Sequence, residues 1–196
     1  MFKKGWAYVR ALVYYKNQFF LFWLPNWKAI IDKRIKYKMK PSIQQFTICS
    51  GKGTVEIGDF CFFGLKEGGG HRGGSIEFQA RTNNSIIKIG NKVNTNNNII
   101  CIAANYIEIG DNTLIGQNVT IMDHEAHGIS PDKRREIGEI GSVIIEKNVW
   151  IGNNVIILKN SLIGENTIVA SGCVVTGKFP KNVIIGGVPA KIIKTI

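Results

Sequence analysis

The sequence predicts a mainly β solenoid of short strands stacked in parallel coils, preceded by a basic, aromatic arm expected to be helical and closed by a short C-terminal cap. Three observations predict it. From residue 109 the chain repeats every six residues, an asparagine or glycine recurs at the fourth place of nearly every unit, and the positive charge is concentrated in the first 40 residues. The expected division is an arm over residues 1–45 and a solenoid over 46–196 that carries an inserted loop at 122–143.

Composition narrows the class. A chain of 196 residues suits one domain with a substantial core. With 44% apolar residues and a mean hydropathy of +0.03, there is enough apolar surface to offset the entropy of ordering, which excludes a disordered chain. The run Phe19 to Leu24 ends at Pro25, whereas a spanning helix needs about 20 apolar residues. Arg10 and Lys16 break the apolar stretch after Lys3 and Lys4, so no signal peptide is read. Cys49, Cys61, Cys101 and Cys173 form no CxxC pair, so neither a zinc knuckle nor a disulfide framework is expected and a reduced, cytoplasmic protein is the default.

The arm comes first in the chain. Residues 1–40 hold ten Lys and Arg against Asp32 alone, a charge of +9, and the remaining 15 basic and 13 acidic residues leave only +2. Trp6, Tyr8, Tyr14, Tyr15, Phe19, Phe20, Phe22, Trp23, Trp27 and Tyr37 are interleaved with those cations. Aromatic rings among lysines suit a membrane interface, and they suit equally a helix packed on the first coil or on a neighbouring subunit. Peripheral membrane contact through residues 1–40 is therefore one expectation and packing the other. No nucleic acid is expected, since no recognition motif accompanies the charge.

The solenoid follows. Loose units open at Ile57-Gly58-Asp59 and Ile89-Gly90-Asn91, and Gly68 to Gly74, with His71 inside it, reads as a connector. The step from Cys101 to Ile109 is two residues longer than a unit and implies a bulge. Then come units opening at Ile109, Ile115 and Ile121 and, after a gap that keeps the phase, at Ile145, Ile151, Ile157, Ile163 and Val169. Their fourth residues are Asn112, Asn118, Asn148, Asn154, Asn160, Asn166 and Gly172. Asn and Gly tolerate left-handed backbone, so each unit is a short strand and a corner. One unit cannot bury its aliphatic residue alone, whereas stacked coils bury it in a column. The gap departs from the repeat, with Pro131, the charge run Asp132 to Glu136, and His124 and His127. A loop inserted without loss of register is a functional excursion. Gly187-Val188-Pro189-Ala190-Lys191 lies in the closing cap.

These units, the segment Asn148-Val149-Trp150-Ile151-Gly152, the loop Asp123-His124-Glu125-Ala126-His127-Gly128-Ile129 and Gly187 to Lys191 resemble the hexapeptide-repeat acyltransferase family over about residues 55–194. The resemblance implies a left-handed parallel β-helix, a homotrimer with active sites between subunits, and acetyl-CoA as co-substrate with no metal. It implies a general base in the loop. His127 stands where streptogramin-type relatives place the catalytic histidine and is the expected base, with His124 second. Asp123 or Glu125 either orients an imidazole or is surface charge. Trp150 falls where relatives place a tryptophan beside the thioester, or packs as an ordinary aromatic. Asn153 falls where galactoside-type relatives have a serine near the acetyl carbonyl, or merely forms a corner. Cofactor contacts are expected at Ser171, Gly172, Thr176, Lys178, Lys191 and Lys194, with Gly177 a departure from the relatives' lysine.

The function this implies is transfer of acetyl to a sugar hydroxyl, with a carbohydrate acceptor in capsule, O-antigen or exopolysaccharide synthesis. The alternatives are a streptogramin- or chloramphenicol-type xenobiotic acetyltransferase, an amino-sugar N-acetyltransferase, and a scaffold with a degenerate site. A gamma-class carbonic anhydrase is disfavoured, because His71, His124 and His127 lack the His-x4-His spacing of its zinc site.

Overall fold

A computed structural model describes residues 2–196, with side chains from residue 9 onward. The side chains of Trp6 and Tyr8, assigned above to the arm, lie outside the described residues. The arm is helical: α1 spans Phe2–Gln18, a π-helical turn spans Phe19–Trp23, and α2 spans Leu24–Ile31 with Pro25 in its first turn. The first strand begins at Ile35, inside the stretch assigned to the arm, so the coils start earlier than the boundary at 45.

Each coil but the last contributes a strand to each of three sheets, parallel apart from the closing C-terminal strand, and the sheets are the faces of a prism. The first face stacks Ile35–Tyr37, Thr54–Ile57, Ile86–Ile89, Tyr106–Ile109, Ser142–Ile145, Ser161–Ile163 and Lys178–Phe179. The second stacks Ser42–Ile43, Phe62–Phe63, Asn94–Thr95, Leu114–Ile115, Trp150–Ile151, Ile168–Val169 and Val183–Gly186. The third stacks Thr47–Gly51, Ile76–Ala80, Ile100–Ala103, Thr120–Met122, Ile156–Ile157 and Val174–Val175. Side chains alternate along each strand, so one of each pair enters the interior. Ile57, Ile89, Ile109, Ile145 and Ile163 stand in register down the first face, and Ile115, Ile151 and Val169 do so down the second. All are at most 5% exposed. Burying each such side chain contributes about 1.5–3 kcal/mol, which is why six-residue spacing of the aliphatics dictates the fold.

The corners are left-handed as the asparagines predict. Asn98, Asn112, Asn118, Asn148, Asn154, Asn160, Asn166 and Asn182 have φ between 56° and 63°. Their amides also bond along the stack: Asn98 Nδ2 donates to Asn118 Oδ1 and Asn118 Nδ2 to Asn154 Oδ1, both at 3.0 Å. A second ladder runs from Asn148 through Asn166 to Asn182, both bonds at 2.7 Å. Phe60 and Lys92 hold the same positive φ without an amide to favour it.

Both ends of the stack are closed. At the start, helix side chains take the place of the missing coil: Gln18 Nε2 donates to Ile43 O (2.8 Å) while Ile43 N–H donates to Gln18 Oε1 (3.1 Å). Asn26 does the same for the next edge strand, donating to Thr47 O (2.8 Å) and accepting from Cys49 N–H (2.7 Å). Phe22, fully buried between them, fills the end of the core. At the other end Lys191–Thr195 pairs antiparallel with Val183–Gly186 and ends the parallel order. Capping matters because an open strand edge recruits other chains.

The outer surfaces of the faces differ. The first carries ion pairs, Lys36 with Glu56 (3.1 Å) and Lys88 with Glu108 (2.8 Å). The second presents Phe62, Leu114 and Trp150, and the third Ile100 and Ile156, each at least 40% exposed.

Candidate active site

The excursion between Met122 and Ser142 leaves the prism at the edge joining the third and first faces. It is a narrow loop whose two arms bond each other: Glu125 N–H donates to Glu139 O (2.9 Å), Gly138 N–H to Glu125 O (3.1 Å) and Gly128 N–H to Glu136 O (2.9 Å). A 3-10 turn over Pro131–Lys133 forms its tip.

Two clusters hold its root. Asp123 is fully buried, and its carboxylate accepts the N–H groups of Ala104 (2.7 Å), Asn105 (2.8 Å) and Tyr106 (2.8 Å) together with Nδ1–H of His124 (2.9 Å). Four donors offset the cost of burying this charge. They also fix the two-residue bulge expected between Cys101 and Ile109. On the other flank the Lys159 ammonium bridges Glu125 and Glu139, and it holds the Glu139 carboxyl below its ordinary range.

The two histidines separate on hydrogen-bond logic. His124 is 3% exposed, and its Nε2 lies 2.9 Å from Arg81 Nη1. A guanidinium only donates, so Nε2 accepts and the ring proton resides on Nδ1, bonded to Asp123. Both nitrogens are occupied. His127 is exposed, and its Nδ1 lies 2.7 Å from the carbonyl of Arg134. A carbonyl only accepts, so Nδ1 carries the proton and the neutral ring keeps a bare lone pair on Nε2. Asp123 bonds His124, and neither Asp123 nor Glu125 hydrogen-bonds His127 among the described residues.

A second group of expected residues lies elsewhere on the prism. Trp150, 55% exposed, stands on the outer side of the second face in a column with Leu114, Ile168, Ile184 and Lys194. Asn153 and Ser171 occupy the corner that follows this face. Gln117 N–H donates to Asn153 Oδ1 (2.8 Å) and Asn153 N–H donates to Ser171 Oγ (3.0 Å). The Asn153 amide NH₂ makes no hydrogen bond among the described residues and is exposed. Gly172, at φ 73°, has no atom within 4 Å of where a Cβ would stand, so this corner is open. Lys191 and Lys194 are exposed in the closing strand. Thr176 follows the third face and Lys178 belongs to a first-face strand, so the structure does not bring Lys178 onto the Trp150 column. Nor does one chain join His127 to Trp150: the loop leaves one edge of the prism and the tryptophan projects from another face.

Arg81 was not legible as a site residue, since it precedes its partner by 43 positions in a coil where the repeat is weak. His71 lines a groove of about 780 Å³ between α1 and the glycine-rich connector, apart from the loop. No group of three metal-ligating side chains occurs among the described residues.

Comparison with known proteins agrees with the repeat. Residues 142–177 match the family model described as bacterial transferase hexapeptide (six repeats). The chain is 37% identical over 116 residues to galactoside O-acetyltransferase of Escherichia coli (strain K12), covering 57% of this chain and 55% of that protein. It is 32% identical over 142 residues to the galactoside O-acetyltransferase of Lactococcus lactis, covering 72% and 63%. It is 36% identical over 121 residues to WbbJ of Escherichia coli (strain K12), an O-acetyl transferase assigned to lipopolysaccharide biosynthesis, covering 56% and 60%. The chain thus spans between a half and two thirds of the length of these relatives. Among solved structures, the N-acyltransferase AntD from Bacillus cereus superposes with a TM-score of 0.63 at 20% identity over 87% of each chain, a likeness of fold. The resemblance to hexapeptide-repeat O-acetyltransferases read from the sequence therefore stands.

Proposed function

We propose that the protein, whose residues 142–177 match the bacterial transferase hexapeptide model, is an acetyl-CoA-dependent O-acetyltransferase. It acts on a sugar hydroxyl in surface-polysaccharide synthesis, with His127 as general base. The observation that carries this reading is the pair of histidine environments: the bond from His127 Nδ1–H to Arg134 O leaves Nε2 free to take a proton, whereas His124 has no free nitrogen. His124 and Asp123 are positioning residues that fix the loop root.

The mechanism is direct transfer. His127 Nε2 removes the hydroxyl proton as the sugar oxygen attacks the thioester carbonyl. The tetrahedral oxyanion is stabilised by the free NH₂ of Asn153. Collapse breaks the carbon–sulfur bond, and the imidazolium returns its proton to the departing thiolate. No acyl-enzyme is invoked. The four cysteines are buried, burial raises the thiol of each, and that of Cys49 is pushed up to about 12, so none supplies a thiolate. Trp150 flanks the thioester, the open corner at Ser171 and Gly172 takes the pantetheine arm, and Thr176, Lys191 and Lys194 contribute toward the cofactor's polar end.

The assembly is a homotrimer of left-handed coils working in the cytoplasm. Support for it comes from two sides. The second and third faces bear exposed aliphatic and aromatic side chains while the first bears ion pairs, and a loop and a Trp150 strip on different sides of one prism form a complete site only when a neighbour supplies one of them. Purified protein with acetyl-CoA and a panel of sugars, nucleotide sugars, amino sugars and xenobiotic alcohols tests the reading. Free thiol release with a hydroxyl sugar is expected, and turnover confined to amines or xenobiotics would replace the sugar-hydroxyl assignment.

A further inference from the structure

The helical cap carries apolar side chains on its outer side as well as its inner one. An amphipathic surface helix turns its apolar side inward; among the described residues Phe22 and Ala29 are buried there with Leu21 and Ile30 packed beside them, and Gln18 and Asn26 face the coils to bond their edge strands. Away from the coils the cap presents Phe20, Leu24, Trp27 and Ile31, with Leu12, Tyr15 and Phe19 also exposed along it, each between 47% and 69% exposed. These positions recur every three or four residues through α1, the π turn and α2, so they form one stripe. Lys16, Lys28, Lys33, Lys38 and Lys40 are exposed in the same arm and make no ion pair among the described residues, while the single acid of the arm, Asp32, is paired with Arg34. Lys40 stands 5.2 Å from the Trp23 ring centroid.

The stripe also has a direction. The edge N–H and C=O groups of the first coil point along the solenoid axis, and the Gln18 and Asn26 amides that bond them occupy the place of a further coil. The opposite side of the helix therefore faces outward past the end of the prism, away from the lateral faces through which copies would associate. We infer that this stripe docks the protein flat on an anionic bilayer surface, its rings and aliphatics at headgroup depth and its lysines on lipid phosphates. No described helix is long and apolar enough to cross a membrane, so the contact is interfacial. A bilayer fits better than a second copy of the chain, because two arms of +9 would repel where an anionic surface attracts. The inference does not depend on the catalytic reading.

The test is sedimentation of the full chain with vesicles of phosphatidylcholine alone and of phosphatidylcholine with phosphatidylglycerol. Binding to the anionic vesicles, weakened by added salt, is expected. The triple variant Phe20→Ser, Leu24→Ser, Trp27→Ser should lose at least about tenfold in partitioning, with thermal unfolding unchanged since none of the three is buried. Equal or absent binding to both vesicles, or a triple variant that binds like the parent, would overturn the proposal. So would a triple variant whose only change is a smaller oligomer, which would mean that another copy covers the stripe.

Discussion

Arg81 Nη1 lies 2.9 Å from His124 Nε2, and this contact sets the two histidines of the loop apart. A ring between a guanidinium and a carboxylate is locked in one tautomer with no lone pair to offer. His127, three residues on, has the opposite arrangement, with one nitrogen anchored on a backbone carbonyl and the other open to solvent. The same loop thus holds one imidazole with both nitrogens bonded and one with a lone pair free.

Removing each histidine should give different phenotypes. His127→Ala is expected to lower kcat by about 10²–10⁴-fold with unchanged thermal unfolding and retained CoA binding. His124→Ala strands Asp123 and Arg81 and should cost about 2 kcal/mol or more of stability. Steady-state kinetics beside denaturant unfolding would check the split, and a stable, fully inactive His124→Ala variant would reverse the assignment.

Asp123 is the stronger structural lesion. Asp123→Ala leaves three backbone N–H groups and the His124 ring without their acceptor in a buried place. The expected loss is about 3 kcal/mol or more, read from the shift in urea midpoint. A change below 1 kcal/mol would contradict a root latch.

Thiol reactivity should follow burial. Cys49, Cys61, Cys101 and Cys173 are all buried with thiols raised by desolvation. A chromogenic disulfide reagent at pH 8 should label none of them in the folded protein and all four in denaturant. Rapid labelling of the native state would argue against closed coils.

The corners give a paired prediction. Lys92 sits at φ 56° without the local bonds that make this conformation acceptable to asparagine, so Lys92→Asn should stabilise by up to about 1 kcal/mol. Asn154→Ala, which loses both the φ preference and the bond from Asn118, should destabilise by about 1–2 kcal/mol. Equal midpoints for both variants and the parent would mean the amides contribute nothing.

What the sequence revealed follows from where the repeat is regular. Ile145 pairs with Ile163 after 18 residues, three six-residue sides, and in that stretch every corner from Asn148 to Asn166 was legible. Earlier, Ile89 pairs with Ile109 after 20 residues because the third side is longer, and the corners at Phe60 and Lys92 lack the residue that announces them. The first coil, starting at Ile35, was therefore assigned to the arm. Within the proposed site, the loop offered both His127 and His124, and the preference for His127 came from the resemblance. Asp123 was read as an imidazole orienter or as surface charge, because an acid next to a histidine fits both. Only its bonds to Ala104, Asn105 and Tyr106, joined by the fold, distinguish the two.

The most direct test of the central claim, that His127 of one chain works on the Trp150 strip of another, is complementation between two crippled variants. His127→Ala and the double variant Trp150→Ala, Asn153→Ala are each expected to be nearly inactive. Dissociated, mixed in equal amounts and reassociated, they should regain about a quarter of parental activity, since random pairing joins an intact loop to an intact strip at that share of interfaces. Mixed trimers verified by mass that regain no activity would place His127 and Trp150 in separate sites and contradict the account.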